Sequence, residues 1–254
     1  MKQVQTIIVT LTCLICVLSC KKTDTVPVPT PVSKKLQKIT WTTSYPLTQN
    51  YTYDAQGRLI KYEDEYATNT YAFNGNMVAI KEFRKSENRF VSDITGTTDN
   101  AGRVTNLTGS YAYNINVPYT EQTAFTYDAE GYLKQFTRTM GTAVQTYDYT
   151  VTNGDYTKLV YQKPGSSGYT RTTDFYLDKE NLTGVGDIPI GPGVNNGLFG
   201  KLNKHLVKFE QSTVQNAPTP SWANNYTYVL DANGYIQTMG ITGTTTATAA
   251  YIFQ

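Results

Sequence analysis

One four-residue turn recurs along the chain and fixes most of what the chain can fold into. Asp54-Ala55-Gln56-Gly57, Asp99-Asn100-Ala101-Gly102, Asp128-Ala129-Glu130-Gly131 and Asp231-Ala232-Asn233-Gly234 each join two runs rich in Tyr and Thr. Asp at the first turn position accepts hydrogen bonds from the backbone amides just ahead of it. Gly at the fourth takes positive φ, which closes a type I turn with a bulge and returns the chain antiparallel. Shorter turns stand at Asn74-Gly75-Asn76 and Asn153-Gly154-Asp155. The chain reads as a run of hairpins. Asp54, Gly57, Asp99, Gly102, Asp128, Gly131, Asp231 and Gly234 read as turn formers, since EF-hand spacing is absent.

Composition agrees. The 254 residues include 21 Tyr and 41 Thr, and both types favour strands. About sixteen strands fit between Leu36 and Gln254. The expected fold is all-β, an antiparallel meander forming a curved sheet or a wide, partly open β-barrel. Residues 36–254 read as a single β domain. Period-two alternation puts Ile60, Tyr62 and Tyr66 on one face and Leu59, Lys61, Glu63 and Glu65 on the other. It likewise separates Tyr132, Lys134, Phe136 and Arg138 from Leu133, Gln135, Thr137 and Thr139. A lipid-facing wall needs clean apolar alternation in every strand. Arg138 and the run Glu63-Asp64-Glu65 oppose that, so the expectation is a water-facing sheet with a Tyr-rich inner surface. Gly184 to Gly200 holds six glycines and two prolines. It reads as an irregular crossover covering one end of the sheet, followed by one short helix near 195–205.

The first 35 residues follow other rules. Met1-Lys2 is basic, and Ile7 to Leu18 is an apolar run of twelve, too short for a spanning helix, which needs about 20 residues. Residues 1–19 read as a signal peptide. Val17-Leu18-Ser19-Cys20 resembles a bacterial lipobox, which implies cleavage before Cys20 and lipidation of its sulfur. The three Cys all lie at or before position 20, so no disulfide or thiol nucleophile is expected in the mature domain. Residues 20–35 then form a lipidated Cys and a Pro-rich linker, an extended spacer. Lys21 after the Cys implies, by resemblance to sorting rules, the outer membrane, with the domain facing either the periplasm or the outside. Asp24-Thr25-Val26 resembles a short O-glycosylation motif.

The formal net charge is +2, which argues against a nucleic-acid partner. One His and no free thiol in the mature chain leave no metal cluster, and neither Gly-x-Ser-x-Gly nor His-Glu-x-x-His occurs. No cofactor is expected. A non-catalytic binding module is the leading reading, because Tyr rings offer flat apolar faces with a polar tip. Its candidate contacts are Trp41, Tyr53, Tyr62, Tyr71, Tyr111, Tyr127 and Trp222, with Tyr51, Phe73, Tyr113 and Tyr149 beside them. The ligand class would be a glycan or a lipid. The competing reading makes these rings simple core. A second hypothesis is a structural or assembly lipoprotein, with Thr244 to Phe253 as an edge strand for an envelope partner. A third is a glycosidase using two of Asp64, Asp93, Asp174 and Asp187. His205 reads as solvated.

Two resemblances arise from these motifs. Tyr51-Thr52-Tyr53-Asp54-Ala55-Gln56-Gly57-Arg58-Leu59 resembles the YD repeat of RHS-type surface proteins, and Phe125 to Leu133 repeats it. The Asp-to-Asp gaps of 45, 29 and 103 are uneven, and the chain is too short for a large shell. The lipobox, Pro-rich spacer, YD-like hairpins and the Gly197-Leu198-Phe199-Gly200-Lys201 segment together resemble an uncharacterised family of Gram-negative outer-membrane lipoproteins. That resemblance implies a porin-like β fold and brings no catalytic residues.

Overall fold

The computed structural model describes residues 34–43, 47–112, 118–184, 186–187, 194–195 and 197–254. The signal, Cys20, Thr25, the linker up to residue 33, Tyr113 and much of the Gly184 to Gly200 crossover lie outside the described residues, as does the Asp187 side chain.

The strands are β1 (Leu36–Thr42), β2 (Leu47–Tyr53), β3 (Leu59–Glu63), β4 (Ala67–Asn74), β5 (Met77–Arg84) and β6 (Arg89–Thr98). They continue with β7 (Val104–Tyr111), β8 (Tyr119–Tyr127), β9 (Leu133–Met140), β10 (Ala143–Thr152), β11 (Asp155–Gln162) and β12 (Tyr169–Glu180). Two short pieces, β13 (Gly186–Asp187) and β14 (Val194–Asn195), pair only with each other. The last four are β15 (His205–Val214), β16 (Trp222–Leu230), β17 (Ile236–Gly243) and β18 (Ala247–Phe253). All strands but β13 and β14 form one closed up-and-down barrel, each pairing antiparallel with its neighbours, and β12 pairs with β15. β18 pairs with both β17 and β1. Closure takes the place of the open sheet, and β18 is not an edge: the assembly hypothesis loses the free strand it relied on.

Every Asp-x-x-Gly turn lies at the same end of the barrel, which we call the turn end. Up-and-down order requires this, because the turns follow β2, β6, β8 and β16. The chain also enters there, where Lys35 N donates to Gln254 O at 2.8 Å. Each turn is built alike. Asp54 Oδ1 accepts from the Gln56 and Arg58 amides at 3.0 and 2.8 Å, and Asp99, Asp128 and Asp231 repeat the pattern. Gly57, Gly102, Gly131 and Gly234 have φ of 77°, 78°, 96° and 86°.

The register slips by one residue after each of these turns. Tyr53 faces Leu59 while Thr52 faces Lys61, and the same step recurs at Val104, Leu133 and Ile236. The bulge turns a residue that strict alternation would point outward into the interior. Leu59 and Leu133 are both buried, and Phe136 is buried on the same side as Leu133. The sequence expectation had placed each of these leucines on the opposite face from Tyr62 and Phe136. It holds within the strands beyond the bulge and fails across it, and it fails at Tyr66, which stands past the end of β3 and is exposed.

The interior is apolar and aromatic, and the outer wall is polar. In β5 to β8, Val78, Ile80, Ile94, Leu107, Tyr111 and Phe125 are buried. Between them Lys81, Asp93, Asn106, Thr108, Gln122 and Thr126 are exposed. A barrel wall in lipid requires the reverse arrangement. Gly96 lets the inner side chains close up. A methyl group on Gly96 would stand 2.3 Å from the Asn106 carbonyl oxygen and 2.5 Å from Leu107 Cδ2. Gly96→Ala should therefore cost about 1–3 kcal/mol, read as a lower urea midpoint. An unchanged midpoint would contradict this packing.

No helix is present among the described residues, so the short helix expected near 195–205 is corrected. Gly197 and Gly200 take φ of 93° and 91°, which a helix cannot contain. Leu198 and Phe199 between them are buried. Leu198 O accepts from Val104 N at 2.8 Å, Lys201 N donates to Gly131 O at 3.0 Å, and Lys204 N donates to Gly154 O at 2.9 Å. Phe199 packs on Phe125 with ring centroids 5.4 Å apart. Residues 197–204 thus lie across the turn end as a plug.

Candidate functional site

Inside the barrel, between β1–β2 and the β10–β12 and β15–β18 wall, lies a cavity of about 350 Å³. Its floor is at the turn end. There Asp155 opens β11 and His205 opens β15, and the two meet across fifty residues of sequence. Asp155 Oδ1 accepts from the His205 backbone amide at 2.8 Å, and Oδ2 lies 2.6 Å from His205 Nδ1. The Asp155 side chain is 1% exposed and that of His205 9%. His205 is therefore buried and paired, not solvated as the sequence suggested. The reason is that residue 205 starts a strand whose first side chain points inward. Asn203 Oδ1 accepts from Tyr156 N at 2.8 Å, and Tyr156 Oη donates to Lys201 O at 2.8 Å. These bonds hold the plug against the floor.

The wall carries a second polar cluster. Glu210 accepts from Arg171 at 3.3 Å, from Thr173 Oγ1 at 3.4 Å and from Tyr226 Oη at 3.3 Å. Thr173 and Glu210 are direct partners between β12 and β15, and Arg171 is two residues away on the same face. Burial, aided by the Glu210 charge, pushes Tyr226 up to about 12. Burial also raises Tyr149 and Tyr228, two more lining rings. At neutral pH all three hydroxyls keep their protons and both donate and accept. Tyr149 Oη and Arg171 Nε are shielded from water and have no partner among the described residues.

On the opposite wall Trp41 Nε1 donates to Gln49 Oε1 at 3.0 Å. Gln49 Nε2 donates to Tyr62 Oη at 3.0 Å, and Tyr62 Oη donates to Asp64 Oδ2 at 2.9 Å. The chain of bonds fixes the Trp41 ring at the cavity surface.

The sequence candidates divide clearly. Trp41, Tyr51 and Tyr149 line the cavity. Tyr62 stands behind it, holding Gln49. Trp222 lies at the other end of the wall, 6.0 Å from the Arg171 guanidinium, and does not line it. Tyr71 and Tyr111 are core rings of the other half, Tyr111 stacked on Tyr119 at 5.3 Å. Tyr53 packs under Lys35, Phe73 under Arg58 and Tyr127 under Arg103, with Tyr127 Oη donating to Val104 O. For these the simple core reading wins. Asp64 caps a turn, accepting from the Tyr66 and Ala67 amides at 2.8 Å, and Asp93 and Asp174 are exposed; none lines the cavity. Of the polar groups that line it, Arg171, Thr173, Glu210 and His205 were among those missed as site residues. Their only sequence signal is a charged or polar residue at the inward phase of a strand, which needs the register to be read.

No protein-family model matches the chain, and no curated protein matches it in sequence. Solved structures do. One is a porin-like protein from Bacteroides uniformis ATCC 8492, with TM-score 0.66 and 16% identity, covering 89% of this chain and 98% of that one. Another is a porin-like protein from Bacteroides vulgatus ATCC 8482, with TM-score 0.60 and 13% identity, covering 87% of this chain and 99% of that one. At these identities the likeness is one of fold: the chain has the closed antiparallel barrel of the porin-like structures.

Proposed function

We propose that this chain is a lipid-anchored envelope protein whose barrel binds a small glycan without catalysis. The observation that carries the binding role is the cavity itself, lined by aromatic faces beside tethered polar groups. Its volume of about 350 Å³ falls within the roughly 300–1,000 Å³ range of ligand pockets. A sugar ring offers C–H faces to Trp41 and the tyrosines and hydroxyls to Thr173, Gln49 and the Arg171–Glu210 pair. An acyl chain would leave those polar groups facing hydrocarbon, at a cost. A shielded polar atom without a partner costs about 1–3 kcal/mol, so a ligand hydroxyl reaching Tyr149 Oη or Arg171 Nε would offset a standing penalty.

The anchor rests on the sequence around Cys20, and the envelope location on that signal together with the porin-like fold. The polar outer wall supports the same reading, because a barrel that does not enter lipid needs another tether. Radiolabelled palmitate should enter the full chain in cells and be lost in Cys20→Ala.

Binding is tested by titrating the purified protein with monosaccharides and with fatty acids, following tryptophan fluorescence and heat. A saccharide should bind, and Trp41→Ala should weaken it at least tenfold. Binding of fatty acids alone would reverse the choice of ligand class, and no heat or fluorescence response from either panel would remove the binding role.

A further inference from the structure

Five aromatic rings stand in direct register across five neighbouring strands. Phe125 of β8 faces Phe136 of β9, which faces Tyr147 of β10, then Tyr161 of β11, then Tyr169 of β12. Successive centroids are 5.9, 4.1, 4.8 and 5.0 Å apart. Barrel strands tilt against the axis, so a row perpendicular to the strands climbs the wall. This row climbs from the plug, where Phe125 meets Phe199, to the end opposite the turns. Phe125, Phe136 and Tyr147 are buried, whereas Tyr161 and Tyr169 are half-buried. Among the described residues, neither the Tyr161 nor the Tyr169 hydroxyl has a hydrogen-bond partner, and neither is shielded from water. The lower rings are core; the upper two are not fully used by it.

The top of this row adjoins the cavity. Tyr169 and Arg171 are two apart on one face of β12, and Arg171 lines the cavity. Beyond Tyr169, Val214 is its partner on β15 and is 37% exposed. Arg171 faces Ser212, which faces Trp222 at the start of β16. Tyr161, Tyr169, Val214 and Trp222 therefore surround Arg171 on the side away from the turn end. They form a half-open aromatic rim continuous with the cavity wall.

Resting on the glycan reading above, we infer that this rim is a second sugar subsite, and that the ligand is a linear neutral oligosaccharide. One ring sits in the cavity and the next lies against Tyr161, Tyr169 and Trp222. Neutral rings are favoured because Arg171 is already matched by Glu210 at 3.3 Å. An added anion would have to compete with that carboxylate. The two free tyrosine hydroxyls suit sugar hydroxyls as donors and acceptors.

The test is calorimetric titration of the whole protein with malto- and cello-oligosaccharides of one to six rings. Affinity for one series should rise at least tenfold between one ring and three and then level off. Trp222→Ala and Tyr161→Ala should each abolish that rise while leaving the single-ring affinity within twofold. Trp41→Ala should weaken every length. Far-ultraviolet circular dichroism of each variant shows whether the barrel is intact. Should Trp222→Ala disturb it, Trp222→Phe keeps a ring and should retain most of the rise. Single-ring binding without a gain from length overturns the rim subsite and leaves the cavity reading standing. Equal weakening of all lengths by Trp222→Ala also overturns it. No binding by either series overturns both.

Discussion

Replacing Asp155 with alanine should destabilise the barrel by about 2–6 kcal/mol, because it leaves two buried polar groups without their partner at about 1–3 kcal/mol each. The carboxylate is 1% exposed and satisfies both the backbone amide and the ring of His205. Its loss strands the backbone amide and a ring nitrogen of His205 at a floor nearly closed to water. It also frees the start of β15, and with it the segment that closes the turn end through Asn203 and Lys201. Asp155→Asn should cost less, because an amide oxygen can still accept from the His205 amide. Equilibrium urea unfolding followed by circular dichroism gives both numbers. A loss below about 1 kcal/mol for the alanine variant, the scale of an exposed pair, would mean that the floor is held by other contacts.

Raising the pH above 10 should unfold the protein cooperatively. Burial pushes Tyr53, Tyr147 and Tyr226 from 10.0 up to about 12. Tyr111, Tyr127, Tyr149, Tyr156 and Tyr228 are raised by burial as well. The sign follows from linkage. Between pH 10 and 12 the unfolded chain has lost these protons and the folded one keeps them, so stability falls as pH rises. It is fully present below pH 10 and lost through pH 12. A two-decade separation is worth about 2.7 kcal/mol per ring, and roughly half of that where solvent still reaches the ring. Several rings together match the whole of a typical folding free energy of about 5–15 kcal/mol. Phenolate absorbance and circular dichroism should change together in one step. Gradual ionisation near pH 10 with the barrel intact would mean that the rings are far wetter than their burial implies.

The hairpin order and the strand number were legible because they rest on local chemistry. Asp54 to Gly57 makes its turn from its own side chain and backbone. The faces were legible only away from the turns. Leu59 and Leu133 defied alternation because one bulge shifts the phase, and the bulge is invisible until the partner strand is known. The site was largely illegible for a related reason. Asp155 and His205 are fifty residues apart, and nothing local joins them. Arg171 and Glu210 look like surface charges until the register of β12 and β15 turns both inward. The 21 tyrosines gave many candidates and little discrimination. Trp41 stood out because tryptophan is rare in this chain, which holds two.

The pairing of Leu36 with Phe253 has a consequence for how the molecule comes into being. The first strand finds its second neighbour only when the last strand has been made. Such a contact, spanning nearly the whole chain, carries a high loop-closure entropy and slows folding. Until it forms, two unpaired strands stand open and can join other chains. A ribosome cannot release a finished barrel from a chain still in synthesis, and neither can a translocation pore. Loss of even the final seven residues would remove the clasp and leave a hairpin array that invites aggregation.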